Sequence, residues 1–468
     1  MGIRVQSHAE GGEGVDVARH HVGTLAVLAA AAIAMATPVS AATLVEVMAA
    51  AYNNNPTLNA ARAELRATDE GVPQARSGYR PTVFGSADAA VNYTDSEFGS
   101  TGTTYPRGVG ISVEQPLFLG FRTKNSVKAA ETSVLAGREV LRDTEQSVLL
   151  DAVTAFMDVA QAQAILSLRS QNLEFLREQV RAANDRLSVG EGTRTDVAQT
   201  NARLSAGLYE YSAAAATLSA ANARYQAVIG RPPDTIGAVK SVDGLLPRTL
   251  DQAIAKGRDN HPAILAADYN IDIASFNVKV IEGEFLPRVT IEGDVTHRNG
   301  STSGATDSAT ILGRVTVPIY QAGEPAARAR AAKETLGQRR IELDSTRDLV
   351  RQNIVAFWSS LDAAKAQIRS ADATVEAQQL VLSGVIEERN VGQRTTLDVL
   401  DAQADLLLAR EAQVVARRER VVAAYSLLAT VGDLSATKLG LAVAVYNPKE
   451  HMRQVRDKWG GLRTPDGR

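Results

Sequence analysis

One short turn occurs twice in this chain, and it limits what the rest can become. The first copy reads Val189-Gly190-Glu191-Gly192-Thr193-Arg194-Thr195-Asp196-Val197; the second reads Val391-Gly392-Gln393-Arg394-Thr395-Thr396-Leu397-Asp398-Val399. Each follows a long stretch of helical periodicity and opens another. A Gly after the last periodic residue supplies the left-handed conformation that ends a helix, and a Thr with an Asp in the next turn starts the following one. The chain is therefore predicted to form two helical hairpins with near-identical tips.

The repetition extends past the tips. Thr43-Leu44, Asn55-Pro56 and Pro81 recur as Thr249-Leu250, His261-Pro262 and Pro287, and Pro116-Leu117-Phe118 recurs as Pro318-Ile319-Tyr320. Residues 42–230 and 249–438 are thus two copies of one unit of roughly 190 residues. A solenoid repeat is several times shorter, so a duplicated, domain-sized unit with pseudo-twofold symmetry is expected. Residues 231–248 link the copies, and 439–468 form a C-terminal tail, read from Tyr446 onward as an irregular collar.

The N-terminal residues 1–41 carry the marks of an export signal. Arg19, His20 and His21 precede an apolar run from Leu25 to Ala36, and Val39-Ser40-Ala41 places small residues for cleavage after Ala41. The other reading is a short buried helix. Beyond it, no run is expected to reach the ~18 apolar residues of a membrane-spanning helix. The chain has no Cys, which excludes disulfides and N-terminal lipidation through Cys. A net charge of -3 without a basic block argues against nucleic acid as a partner. With 5% aromatics and much Ala, the composition suits long, close-packed helices.

In each copy the period switches once from helical to alternating. The first hairpin is predicted within 81–117, with Val83, Gly85, Ala87, Ala89, Val91 and Tyr93 on one face and a polar loop from Asp95 to Arg107. Its return strand sets Val109, Ile111 and Val113 against Gly110, Ser112 and Glu114. The second hairpin, within 287–318, sets Val289, Ile291, Gly293 and Val295 against Arg288, Thr290, Glu292 and Asp294, with a loop from Asn299 to Ala309. Phe118, Phe121, Phe285 and Tyr320 gather at the helix-side ends. One apolar and one charged face is the alternation of a lipid-facing barrel with a wet lumen. The alternative is a sheet that packs its apolar face on the helices. Four strands cannot close a barrel alone, so closure would need several chains.

Between strands and tips, about 65 residues from Arg122 to Leu187 and from Glu324 to Arg389 keep helical periodicity. At 1.5 Å per residue each such helix spans ~100 Å. Near-heptad spacing (Leu149, Val153, Phe156, Ala160, then Leu173, Leu176, Val180, Ala183) marks them as coiled-coil partners. The helix returning from the first tip is shorter, ending near Gly230, and the helix starting at Thr249 is expected to stack on its end.

No catalytic constellation, metal-ligand spacing or cofactor motif emerges, so the chain is not read as an enzyme. Gly190-Glu191-Gly192 follows a helix rather than a strand, which removes a phosphate-binding reading. The tip carboxylates are the informative polar groups. Asp196 and Asp398 suit helix capping, whereas Asp401 lies too deep in its helix for that, and the first copy has Gln199 in its place.

With these residues the chain resembles the TolC-type outer-membrane efflux proteins over residues 43–445. Gly392-Gln393-Arg394-Thr395 followed by Leu397-Asp398-Val399-Leu400-Asp401-Ala402 carries the likeness most specifically. The resemblance implies a mainly α fold with a membrane β-barrel. A homotrimer would join four strands per chain into a twelve-stranded barrel in outer-membrane lipid, continued by a coiled-coil tunnel of the duplicated hairpins into the periplasm. It implies a periplasmic adaptor and an inner-membrane pump, of the RND or ABC class, serving multidrug efflux or type I protein secretion, and no cofactor. Carried onto this sequence, the aperture and its selectivity would lie at Asp398 and Asp401. The latch would join Arg394 to Thr195 and Asp196. Arg389 stands at the family's tyrosine latch position, near Asp196 as an ionic substitute. The adaptor-docking tips would be Val189, Gly190 and Thr193 with Val391, Gly392 and Thr395; Glu191 replaces an apolar family residue there. The competing reading is a structural trimeric coiled coil or adhesin of the outer membrane without transport.

Overall fold

A computed structural model of the chain describes residues 43–99, 101–234, 237, 242–300 and 304–467. The predicted export signal lies outside the described residues, as does part of the 231–248 linker. The first copy opens with α1 (Leu44–Asn54), α2 (Pro56–Asp69) and α3 (Gly71–Arg76), ending in a 3-10 turn, Ser77–Tyr79. Pro56 breaks the helix because Pro has no N–H to donate, and Asn55 caps the restart by accepting from Thr57 and Leu58 N–H. The second copy repeats the device between α6 (Leu250–Asn260) and α7 (Pro262–Glu282), where the His261 ring Nδ1 accepts from Ala263 N–H. Burial holds the His261 pKa below its ordinary value, which keeps the ring neutral and able to accept.

Among the described residues the two alternating segments form six strands: β1 (Thr82–Ala89), β2 (Asn92–Thr94), β3 (Gly102–Thr104), β4 (Arg107–Leu119), β5 (Arg288–Gly300) and β6 (Gly304–Thr316). Four form one antiparallel sheet in the order β1-β4-β5-β6, so the two copies join edge to edge through β4 and β5. The pairing aligns the predicted faces across all four strands. Val83 lies opposite Val113, Ile111 opposite Val295, and Gly293 opposite Ile311. Behind them, Asp88 on β1 reaches Arg298 on β5 at 3.2 Å, and Arg314 forks onto Glu292 at 2.8 and 2.9 Å. Among the described residues nothing covers the apolar face: Ile111 is 57%, Val295 60% and Ile311 86% exposed.

Two loop expectations need correction. The segment from Asn299 to Ala309 is mostly ladder, with β5 running to Gly300 and β6 starting at Gly304. Thr296 with Ser308 (2.9 Å) and His297 with Asp307 (2.6 Å) supply the cross-strand polar pairs that extend it. The segment from Asp95 to Arg107 contains β3, which pairs with β2 as a separate ribbon beyond a break at Ala90-Val91.

The long helices are α4 (Arg122–Ser188) and α8 (Glu324–Asn390), each 67 residues, returning as α5 (Arg194–Ile229) and α9 (Thr396–Thr430). Strand and helix join where Gly120 packs its backbone on Gly283 of the other copy; a Cβ on Gly120 would lie 2.2 Å from the Gly283 oxygen. Contrary to the run-length expectation, α4 holds an 18-residue stretch of mean hydropathy 1.3, half of it buried inside the chain. Core packing gives it that character, since Leu149, Val153 and Phe156 are fully buried against α1 and α5. The end of α5 also departs from expectation: it meets the α1–α2 corner of its own copy, where Asn55 donates to the Val228 carbonyl at 2.9 Å. Likewise α6 meets the end of α9 in the second copy, with Gly257 against the Thr430 carbonyl. The last turns of α9 tie the copies together, Tyr425 and Leu428 packing in one core and Leu427 and Val431 in the other.

The tail is more ordered than an irregular collar. The Tyr446 N–H donates to the Tyr52 hydroxyl, α10 (Glu450–Val455) sets His451 on the buried Asp69 at 3.1 Å, and Arg80 donates to the Lys458 carbonyl at 2.8 Å. It therefore climbs along the first copy from α1 to the foot of β1.

Candidate functional site

Both tips are built by the same backbone geometry. Gly190 and Gly392 each have φ of +82°, and the following N–H groups reach back to the helix: Glu191 to the Arg186 carbonyl and Gln393 to the Glu388 carbonyl, both at 2.9 Å. This is a 6→1 helix stop of the Schellman kind. A Cβ at either Gly would meet open space, so the left-handed conformation alone calls for Gly. Val189 and Val391, one residue earlier, are 69% and 71% exposed. Each tip thus presents an apolar side chain beside a rigid turn.

The return helices start with reciprocal caps. Thr193 accepts from Asp196 N–H at 3.1 Å, while the Asp196 carboxylate accepts from Thr193 N–H at 3.0 Å. Thr395 and Asp398 repeat the pattern at 3.2 and 2.8 Å. The Thr395 N–H, then its hydroxyl, then the Arg394 charge hold the Asp398 carboxyl below the ordinary carboxylate value. Thr195 lies exposed on the first turn of α5.

The structure places the predicted latch residues differently from the expected pairing. Arg394 donates through Nε to Glu388, at 2.8 Å, within its own hairpin. Asp196 is committed to its cap, so within the chain Arg394 takes the carboxylate that the preceding helix end presents beside it. Arg389 does cross to the first hairpin, but its partner is Gln179 on α4, at 3.0 Å, instead of Asp196. Burial, and then the nearby Arg186, push the Arg389 pKa down.

Asp401 brings in a residue that the sequence reading missed. Arg203 on α5 donates to its carboxylate at 2.5 Å, tying the two hairpins together two turns above the tip caps. Counted from the tips, Arg203 and Gln199 of the first copy correspond to Asp405 and Asp401 of the second. This reversal of charge between equivalent positions was the available signal. The tie is the lower part of a polar ladder between the first hairpin and α9. Above it stand Asn172 with Gln403 (3.3 Å), Arg169 with Glu411 (2.8 Å) and Asp158 with Arg418 (2.7 Å). Among the described residues, no group of three His, Cys, Asp or Glu is arranged to hold a metal ion.

Comparison with known proteins agrees with this architecture. The outer membrane efflux protein family matches residues 47–231 and 253–433, one segment in each copy. The outer membrane efflux protein BepC of Brucella suis is 46% identical over 430 residues, covering 91% of this chain and 93% of that protein. The outer membrane protein TolC of Vibrio cholerae is 23% identical over 86% of this chain and 93% of its own length. Among solved structures, the Campylobacter jejuni CmeC outer membrane channel superposes with a TM-score of 0.77 at 16% identity, covering 88% of this chain and 89% of that one. The chain belongs to the outer membrane efflux protein family, the TolC-like, non-catalytic channels of the outer membrane with a large periplasmic helical extension.

Proposed function

We propose that three copies of this chain close a barrel and tunnel through which substrates leave the cell, gated at the paired helical tips. The carrying observation is the four-stranded sheet whose apolar face is left uncovered by the described residues and whose opposite face carries Asp88, Glu292, Arg298 and Arg314. Four strands from each of three chains make a twelve-stranded barrel with that apolar face toward lipid and the charges toward water. A periplasmic adaptor grips the exposed valines and rigid turns of both tips, and an inner-membrane pump behind it supplies the substrate. The 46% identity to a protein named for efflux favours an efflux role over protein secretion.

In the closed gate Asp398 and Asp401 line the aperture. Arg203 holds Asp401 against the first hairpin, and Arg389 adds the Gln179 link. Arg394, exposed and paired with Glu388, is available for the neighbouring chain. Opening requires the second hairpin to leave the first, which releases both links. The adhesin reading is disfavoured by the short connection between β5 and β6, which only residues 301–303 separate.

The test is native mass measurement followed by bilayer recording on detergent-extracted protein. A threefold species forming cation-preferring channels is expected, with preference weakened in Asp398→Ala/Asp401→Ala. A monomer without conductance sinks the proposal, and unchanged selectivity in the double variant removes the aperture assignment.

A further inference from the structure

We propose that the C-terminal tail is a membrane anchor whose Trp459 and Leu462 sit among anionic phospholipid headgroups at the periplasmic surface of the outer membrane. This rests on the barrel reading above, which sets the level of the bilayer. The tail climbs from α1 to the foot of β1, and its last fixed point is Arg80, which precedes β1 by a single proline. Arg80 donates to the Lys458 carbonyl at 2.8 Å, and its guanidinium lies 4.7 Å from the centre of the Trp459 ring. Arg76 pairs with Asp457 just below. Arg80, which fixes the indole, follows Tyr79 in the chain, and Tyr79, Phe121, Phe285 and Tyr320 are aromatic residues exposed at the ends of the strands.

A packing role would cover the side chains brought there. Instead Trp459 is 74% exposed and Leu462 fully so, although the backbone around them is pinned. An indole with one polar N–H and a broad apolar body is the side chain best suited to a headgroup layer. The same turn carries the matching charge. Lys458 folds back to the Arg463 carbonyl at 2.6 Å, and Arg80 lies over the Trp459 ring, so the turn that carries the two apolar side chains also carries cationic ones. Cations of this kind attract phosphate headgroups. The arrangement fits an anionic lipid surface.

The chain has two Trp residues, so Trp358→Phe leaves Trp459 as the sole indole reporter. The trimer carrying that change is reconstituted in phosphatidylethanolamine–phosphatidylglycerol vesicles, with and without bromine on the acyl chains near the headgroup. Trp459 emission should shift to shorter wavelength on reconstitution and lose intensity in the brominated vesicles. A control carries Trp358→Phe, Trp459→Phe and Val295→Trp, which reports on the strand face. Quenching of the control with unshifted, unquenched Trp459 overturns the tail anchor and leaves the barrel standing. Absence of quenching at both positions overturns both.

Discussion

Asp398 and Asp401 lie one helical turn apart, yet their surroundings give them separate tasks. Asp398 is fixed by the Thr395 cap, and its depressed pKa means that its charge outlasts that of a free carboxylate as pH falls. The sign of the linkage follows: the cap contributes stability above the ordinary value of 3.8 and loses it as pH drops through the lower folded value. Cation preference in bilayers should therefore persist through mild acid, and Asp398→Ala should remove the part that persists. Preference vanishing at the ordinary carboxylate pKa in both proteins would mean that Asp398 does not set it. Removing the hydroxyl in Thr395→Ala should cost about 1 kcal/mol of local stability, read as faster amide exchange in the first turn of α9. Asp401 instead answers to Arg203 across the hairpins. Both side chains are about half exposed, so the pair contributes at most ~1 kcal/mol, suited to a contact that must break on opening. Arg203→Gln should raise resting conductance, and the exchange Arg203→Asp/Asp401→Arg should bring it back toward the parent value. A leak unchanged by the first substitution would show that the pair carries no gating load.

Among the elements, the tips show how little stability a docking surface needs from its glycines. Gly392→Val meets no steric obstacle, and its cost is the left-handed backbone, about 1–2 kcal/mol. The trimer should therefore persist with a slightly lower melting temperature while adaptor crosslinking to the tip is lost. Normal crosslinking and efflux would remove the turn from the docking site. The duplication, both 67-residue helices and the alternation of the strand faces were all legible in the sequence, because each rests on a period that local physics fixes. The partners at the tip were not. Arg394 and Arg389 are long side chains whose carboxylate or amide is selected by which helix passes within reach, and sequence spacing within one helix does not encode that. The end of α5 was misassigned for the same reason: its sequence does not encode whether α6 or the α1–α2 corner meets it, and the Asn55 bond to the Val228 carbonyl decides for the corner. The loop of the second hairpin was misread because Gly, Ser and Thr signal a turn locally, whereas ladder pairing across β5 and β6 keeps them extended.

For the whole molecule, opening is a rigid-body question, because the polar ladder joins α9 to the first hairpin at four levels between the tip and the core. Its upper rungs are the better buried: Arg169 and Glu411 are 16% and 15% exposed, against 46% and 52% for Arg203 and Asp401. Interactions shielded from water hold more strongly than exposed ones. The hairpins should therefore part from the tip upward, with the Arg169–Glu411 level acting as the hinge. The absence of Cys from the chain makes this directly testable. Arg203→Cys/Asp401→Cys, joined by a short reversible thiol crosslinker, should block conductance and efflux, and reduction should restore both. The same crosslink between Arg169→Cys and Glu411→Cys should leave transport largely intact, since that level is not required to separate. Efflux continuing through a lower lock that is shown by gel mobility to be complete would mean that the pore opens without parting the hairpins. Efflux blocked equally by both locks would place the hinge above Glu411.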